Sequence, residues 1–138
     1  MEVARPTGPH TWVFDVDGTL VDSLTGTSLR PGALALLERI RTAGATVRLW
    51  SAGGAEYARR RAASTGIGHL VDSYHDKDGR DADGRYTTAH LLLALDDVVF
   101  VDDRPGDLPL GADVIIVSPY LAPNEHDRGL ERALARAR

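Results

Sequence analysis

The sequence predicts an α/β fold, a three-layer, doubly wound and mainly parallel sheet, and three observations carry that expectation. Short apolar runs alternate with amphipathic stretches along the chain, the pattern of strand–helix–strand units. Two of the apolar runs end in acids, at Asp15 and Asp17 and again at Asp102 and Asp103, and open parallel sheets place their ligands at the carboxyl ends of strands. No gap between elements is long enough for a second folded unit, so residues 1–138 read as one domain.

The elements follow in order. Thr11, Trp12, Val13 and Phe14 form an apolar run that predicts a buried strand over 11–16. Residues 18–30 are a polar connection. Pro31 and Gly32 open a helix reaching Ala43, with Leu34, Leu37 and Ile40 on its apolar face and Gly44 as its stop. Thr46–Trp50 is the second strand. Gly53 and Gly54 start a helix over Ala55–Ser64 that ends at Gly66. A short strand at Leu70–Tyr74 precedes a loop over 75–85, dense in Asp and Gly. Thr87–Leu95 reads as helix, Val98–Val101 and Val114–Val117 as strands, and Glu125–Arg136 as a polar C-terminal helix.

Composition narrows the function classes. Hydrophobic residues make up 43% of the chain, enough for a core, but no run of eighteen apolar residues exists to cross a membrane. The N-terminus has no secretory pattern; Pro6, Gly8 and Pro9 suggest a ragged lead-in. The absence of cysteine excludes disulfides and thiolate chemistry and leaves cytoplasm as the default location. A formal net charge of −4 disfavours a large nucleic-acid footprint.

The chemistry concentrates at the strand ends. Asp17-Gly18 alone is an ordinary turn signal. A second acid at Asp15, closing a hydrophobic strand, is costly to bury without a metal or a partner. Of two such carboxylates, one can act as nucleophile and the other as general acid/base, and both can approach a divalent cation. Ser51 closes the second strand before Ala52, Gly53 and Gly54; it is either an N-cap or, with the free amides of that turn, a phosphate site. Asp102 and Asp103, with Asp107 four residues beyond the latter, repeat the acid-tipped strand.

The string Asp15-Val16-Asp17-Gly18-Thr19-Leu20 resembles the first motif of the haloacid dehalogenase superfamily, the aspartate-nucleophile phosphatases, and the resemblance extends in order along nearly the whole chain. It implies a Rossmann-like core, here without a cap domain because neither usual insertion point is long enough. It further implies Ser51 as the second motif, with Ala52 and Gly53 contacting phosphate. Asp102, Asp103 and Asp107 fall at the fourth motif, joining Asp15 and Asp17 at an Mg²⁺ ion, with Asp103 directly on the metal. For the third motif, a basic residue, Lys77 is the only lysine and lies 26 residues before Asp103; Arg80 and Arg85 are the alternatives, and a solvated loop residue among Asp76, Asp78, Asp81 and Asp83 is the competing reading.

The activity so implied is Mg²⁺-dependent phosphomonoester hydrolysis through an aspartyl-phosphate on Asp15. A capless site is open, and accepts either a macromolecular end or a small ester covered by a neighbouring subunit of a homo-oligomer. Asp102-Asp103-Arg104 resembles a string in the 3′-phosphatase domain of phage-type polynucleotide kinase–phosphatases, which suggests nucleic-acid ends and a substrate contact for Arg104. A partner-dependent phosphate-binding module is the non-enzymatic alternative. The acids from Asp76 onward do not make an EF-hand, since Arg80 and Thr87 stand where acids are required. The five histidines show no paired metal spacing; only His75, near Lys77, invites attention.

Overall fold

The computed structural model describes residues 8–137, so the lead-in around Pro6 lies outside the described residues. Five strands form one parallel sheet: β1 (Thr11–Asp15), β2 (Thr46–Ser51), β3 (Ser73–Asp76), β4 (Val98–Asp102) and β5 (Asp113–Ile116), in the order β3-β2-β1-β4-β5. From β1 at the centre the chain winds outward through β2 and β3, then crosses to β4 on the other side. The carboxyl ends of β1 and β4 therefore flank the switch point, where a doubly wound sheet opens a crevice. β1 is buried at all five positions, as is β4, which matches their near-continuous apolar sequences. The register pairs Phe14 with Val101, so Asp15 and Asp102 are the next residues along two neighbouring strands.

Among the described residues, three α-helices form: α1 (Ala33–Thr42), α2 (Ala55–Thr65) and α3 (Glu131–Arg136). All three pack in the larger core, with Trp12 and Phe14 of β1. The buried stripe of α1 is Ala33, Leu36, Leu37 and Ile40, the i, i+3, i+4, i+7 spacing of one helix face. Leu34, expected on that face, is instead exposed. Gly44, at φ +86°, ends α1: its amide bonds Arg41 and the Ala45 amide bonds Ile40, a Schellman stop.

The other face of the sheet carries a smaller core of Val13, Trp50, Leu91, Phe100 and Leu108. The helix expected over Thr87–Leu95 is not there; two short 3₁₀ turns, Ala89–Leu91 and Leu95–Asp97, cover the face instead. The reason is local. Leu91 is buried, whereas Leu92 adopts φ +53° and turns out to solvent. Arg48 of β2 donates to the Leu91 carbonyl at 2.7 Å, taking an acceptor that a helix would need. The second outer layer is thus made of turns.

The C-terminal helix is also shorter than expected. Residues 125–130 wrap around the buried Arg30 guanidinium, which binds Asp127, and Gly129 lies so close that a Cβ there would sit 1.8 Å from Arg30 Nη2. β3 starts later and ends later than predicted, at Asp76. That shift moves Lys77 from a loop to the carboxyl edge of the sheet. Between β1 and α1, residues 16–32 contain only turns and isolated bridges, with no cap. Among the described residues, no helix is long and apolar enough to cross a membrane.

Candidate active site

The carboxyl edge of the sheet opens into a cavity of about 240 Å³ at the β1/β4 switch point. Its floor is built by strand ends. Asp15 closes β1 and is only 8% exposed; Asp102 closes β4 and is 1% exposed. Asp103 follows at once on the chain and stands at the rim. One oxygen from each of Asp15, Asp102 and Asp103 lies within 4.8 Å of the others. Three hard carboxylate oxygens at that separation form a donor set for a small divalent cation.

Lys77 compensates this charge. Its Nζ donates to Asp15 Oδ1 at 2.8 Å and to Asp102 Oδ2 at 3.2 Å. It also stands 5.1 Å from the Trp50 ring centroid and 5.3 Å from that of Tyr86, within cation–π range. Backbone pairing puts it there: the Lys77 amide donates to the Ser51 carbonyl, extending the β2–β3 ladder by one residue.

The charges shift one another. Burial pushes the Asp15 carboxyl up to about 6, and neighbouring Asp103 adds to that, while Lys77 pulls the other way. Asp102 is likewise raised, by burial and by the charge of Asp15. Burial works against the Lys77 ammonium, but Asp15 and Asp102 outweigh it and hold the ammonium above its ordinary value. Thr19 adds a hydroxyl, donating to Asp15 Oδ2 at 3.1 Å. Thr19 is fully buried, so the turn after β1 orients the Asp15 carboxylate from beneath.

The remaining predicted residues take distinct places. Ser51 is 3% exposed, and its Oγ accepts from the Gly53 amide at 3.0 Å, shaping the turn at the cavity wall. Ala52 and Gly53 line the cavity beside it. Asp76 caps α2, accepting from the Ala55 amide at 2.5 Å; with the Gly53 amide on Ser51, that leaves the Ala52 side of the turn for an anion. Asp17 lines the cavity, but its carboxylate is exposed, bonds Tyr57 and stands outside the three-carboxylate group. Asp107 also lines the cavity and pairs with Arg80 at 3.2 Å, outside that group. The Arg104 amide donates to Asp102 Oδ1, and its side chain lines the mouth.

Neither alternative to Lys77 reaches Asp15. Arg80 lies over Tyr86 and pairs with Asp107, and Arg85 bonds the Leu108 carbonyl. His75 pairs with Ser73 and does not line the cavity. The sequence reading assigns no role to three participants, Thr19, Tyr57 and Tyr86. Thr19 sits within the motif and could have been found there; the two tyrosines arrive through packing.

No known protein family and no curated protein matches the chain by sequence. Solved structures do match by shape. A haloacid dehalogenase-like family hydrolase from Streptococcus pneumoniae aligns at TM-score 0.65 and 13% identity, covering 94% of this chain and 91% of that one. A predicted phosphatase from Clostridium acetobutylicum aligns at TM-score 0.61 and 15% identity, covering 94% and 93%. The fission yeast RNA polymerase II CTD phosphatase Fcp1, bound to beryllium fluoride, aligns at TM-score 0.60 and 18% identity, covering 93% of this chain and 50% of that one. At these identities the likeness establishes the fold.

Proposed function

We propose, from this haloacid dehalogenase-like fold, that the chain is a Mg²⁺-dependent phosphomonoester hydrolase working through an aspartyl-phosphate on Asp15. The observation that carries the reading is the ion-paired nucleophile: a buried carboxylate at the switch point, held by Lys77 and Thr19 and facing a cavity with a serine-ended turn on its wall. Asp15, Asp102 and Asp103 offer the oxygens that would hold Mg²⁺, which when bound would neutralise their charge and that of a phosphoryl group.

The chain's own residues would do the following. An Asp15 oxygen attacks phosphorus as the bond to the leaving oxygen breaks, and Asp17 gives its proton to that oxygen. In the second step Asp17 takes a proton from water as the water oxygen bonds phosphorus and the Asp15–phosphorus bond breaks. The Ala52 amide, Lys77 and Ser51, whose Oγ is held by the Gly53 amide, donate to the equatorial oxygens, where preorganised charge contributes most. The binding-module alternative gives Asp17, an exposed acid on the cavity wall, nothing to do. The acids of the cavity outnumber Lys77 and Arg104, which favours a small ester over a polyanionic nucleic-acid end.

Phosphate release from p-nitrophenyl phosphate, with and without Mg²⁺, tests the reading in wild type and Asp15→Asn. Release that needs both the metal and Asp15 is the expected result. Release that persists in Asp15→Asn rules out the covalent mechanism.

A further inference from the structure

Tyr57, on the first turn of α2, donates its hydroxyl to Asp17 Oδ1 at 2.6 Å, across 40 residues of sequence. Its ring is held on two sides. A Cβ at Gly53 would lie 3.0 Å from the ring, so the phosphate-facing turn rests on it. The Arg61 guanidinium lies 4.9 Å from the ring centroid, and itself packs against Gly26 of the loop after β1. The ring also packs against the main core. A phenol fixed in this way fixes what it bonds.

We propose that Tyr57 is a positioning residue for Asp17. This rests on the phosphatase reading, in which Asp17 moves a proton in both steps. With Oδ1 occupied by the tyrosine hydroxyl, Oδ2 is left as the oxygen that carries the proton. The bond also restrains an exposed side chain that would otherwise rotate between rotamers. Catalytic groups held in orientation by packed neighbours gain most of their advantage from that restraint. Gly53 must lack a side chain for the same ring to serve both the phosphate turn and the acid.

Tyr57→Phe tests this, because it keeps the ring under Gly53 and over Arg61 and removes only the hydroxyl. The readout is kcat/KM for two esters: p-nitrophenyl phosphate, whose leaving group departs without a proton, and β-glycerophosphate, whose alkoxide needs one. General acid catalysis is worth ~10²–10⁴-fold, and its partial loss is expected to raise the aryl-to-alkyl ratio about tenfold. Asp17→Asn is expected to raise the ratio further, with no additional change when Tyr57→Phe is added to it. An unchanged ratio, or full additivity in the double variant, overturns the proposal. Release by the wild type that does not depend on Asp15 overturns the phosphatase reading instead, and this inference with it.

Discussion

Lys77 Nζ sits 2.8 Å from Asp15 Oδ1 and 3.2 Å from Asp102 Oδ2, with 7% of its side chain exposed. One ammonium therefore balances two desolvated carboxylates on adjacent strands. Removing one member of a buried ionic group costs about 3–5 kcal/mol, because the remaining charge is stranded. Lys77→Met is expected to destabilise the metal-free protein by that order in urea denaturation at pH 7. The loss is expected to shrink on adding Mg²⁺, and to shrink at pH 5, where Asp15 takes up a proton. Equal destabilisation under all three conditions would mean that Lys77 acts by packing alone.

The raised value of Asp15, about 6, sets a pH dependence with a definite sign. A carboxyl whose folded value lies above its unfolded one binds a proton more tightly when folded. Its contribution to stability is present at low pH and is lost as pH rises through the folded value. Metal must displace that proton, so Mg²⁺ affinity is expected to fall as pH drops below about 6, with proton release on binding. Calorimetric titration at pH 5.5 in two buffers of different ionisation enthalpy checks this. Identical apparent enthalpies would show that Asp15 is already ionised.

What was legible in the sequence depended on whether the determining partner was near or far. Two acid-tipped parallel runs predict Asp15 beside Asp103; the register instead sets Asp102 next to Asp15, and Asp103 joins them from the following position. The position of Lys77 was anticipated but not its setting, since only the β2–β3 register carries it to the end of a strand. The Thr87–Leu95 helix failed because Arg48, about forty residues earlier, claims the Leu91 carbonyl. The short C-terminal helix has the same kind of cause, Arg30 drawing in Asp127 across 97 residues. Tyr57 was invisible for this reason too: nothing in the spacing of α2 announces a bond to Asp17.

Gly18 gives a test of the metal-binding geometry. At φ +79°, a Cβ there would lie 2.7 Å from Asp103 Oδ2. Left-handed backbone costs a non-glycine residue about 1–2 kcal/mol, and the clash forces Asp103 away from Asp15 and Asp102. Gly18→Ala is therefore expected to lower stability by that amount and to weaken Mg²⁺ binding as well. Gly111→Ala provides the control, because Gly111 has a similar φ of +79° with nothing within 4 Å. A similar stability loss in both, with Mg²⁺ affinity unchanged in Gly18→Ala, would place Asp103 outside the metal site.

Arg30 ties the turn after β1 to the C-terminal segment. Its side chain is fully buried; Nε donates to Asp127 Oδ1 at 2.6 Å, and Nη2 donates to the Ser118 carbonyl at 2.7 Å. Its Nη1 reaches the carbonyls of Gly18 and Thr19 at 3.4 Å, the residues that orient Asp15 and Asp103. Burial works to raise Asp127, but the Arg30 bond and the Gly129 amide outweigh it and hold the carboxyl below its ordinary value. That stabilisation is present above the unfolded value and is lost as pH falls through the folded one. Asp127→Ala leaves the guanidinium without a counter-charge and is expected to cost about 3–5 kcal/mol at pH 7. The cost is expected to diminish as pH falls below about 4, where the unfolded carboxyl takes up its proton and the folded one, held lower, resists it. Urea denaturation at pH 7 and pH 3 separates this from a packing defect, which would cost the same at both. Because the same guanidinium supports the Gly18–Thr19 turn, Asp127→Ala is also expected to weaken Mg²⁺ binding from the far side of the site, without touching a metal-facing carboxylate.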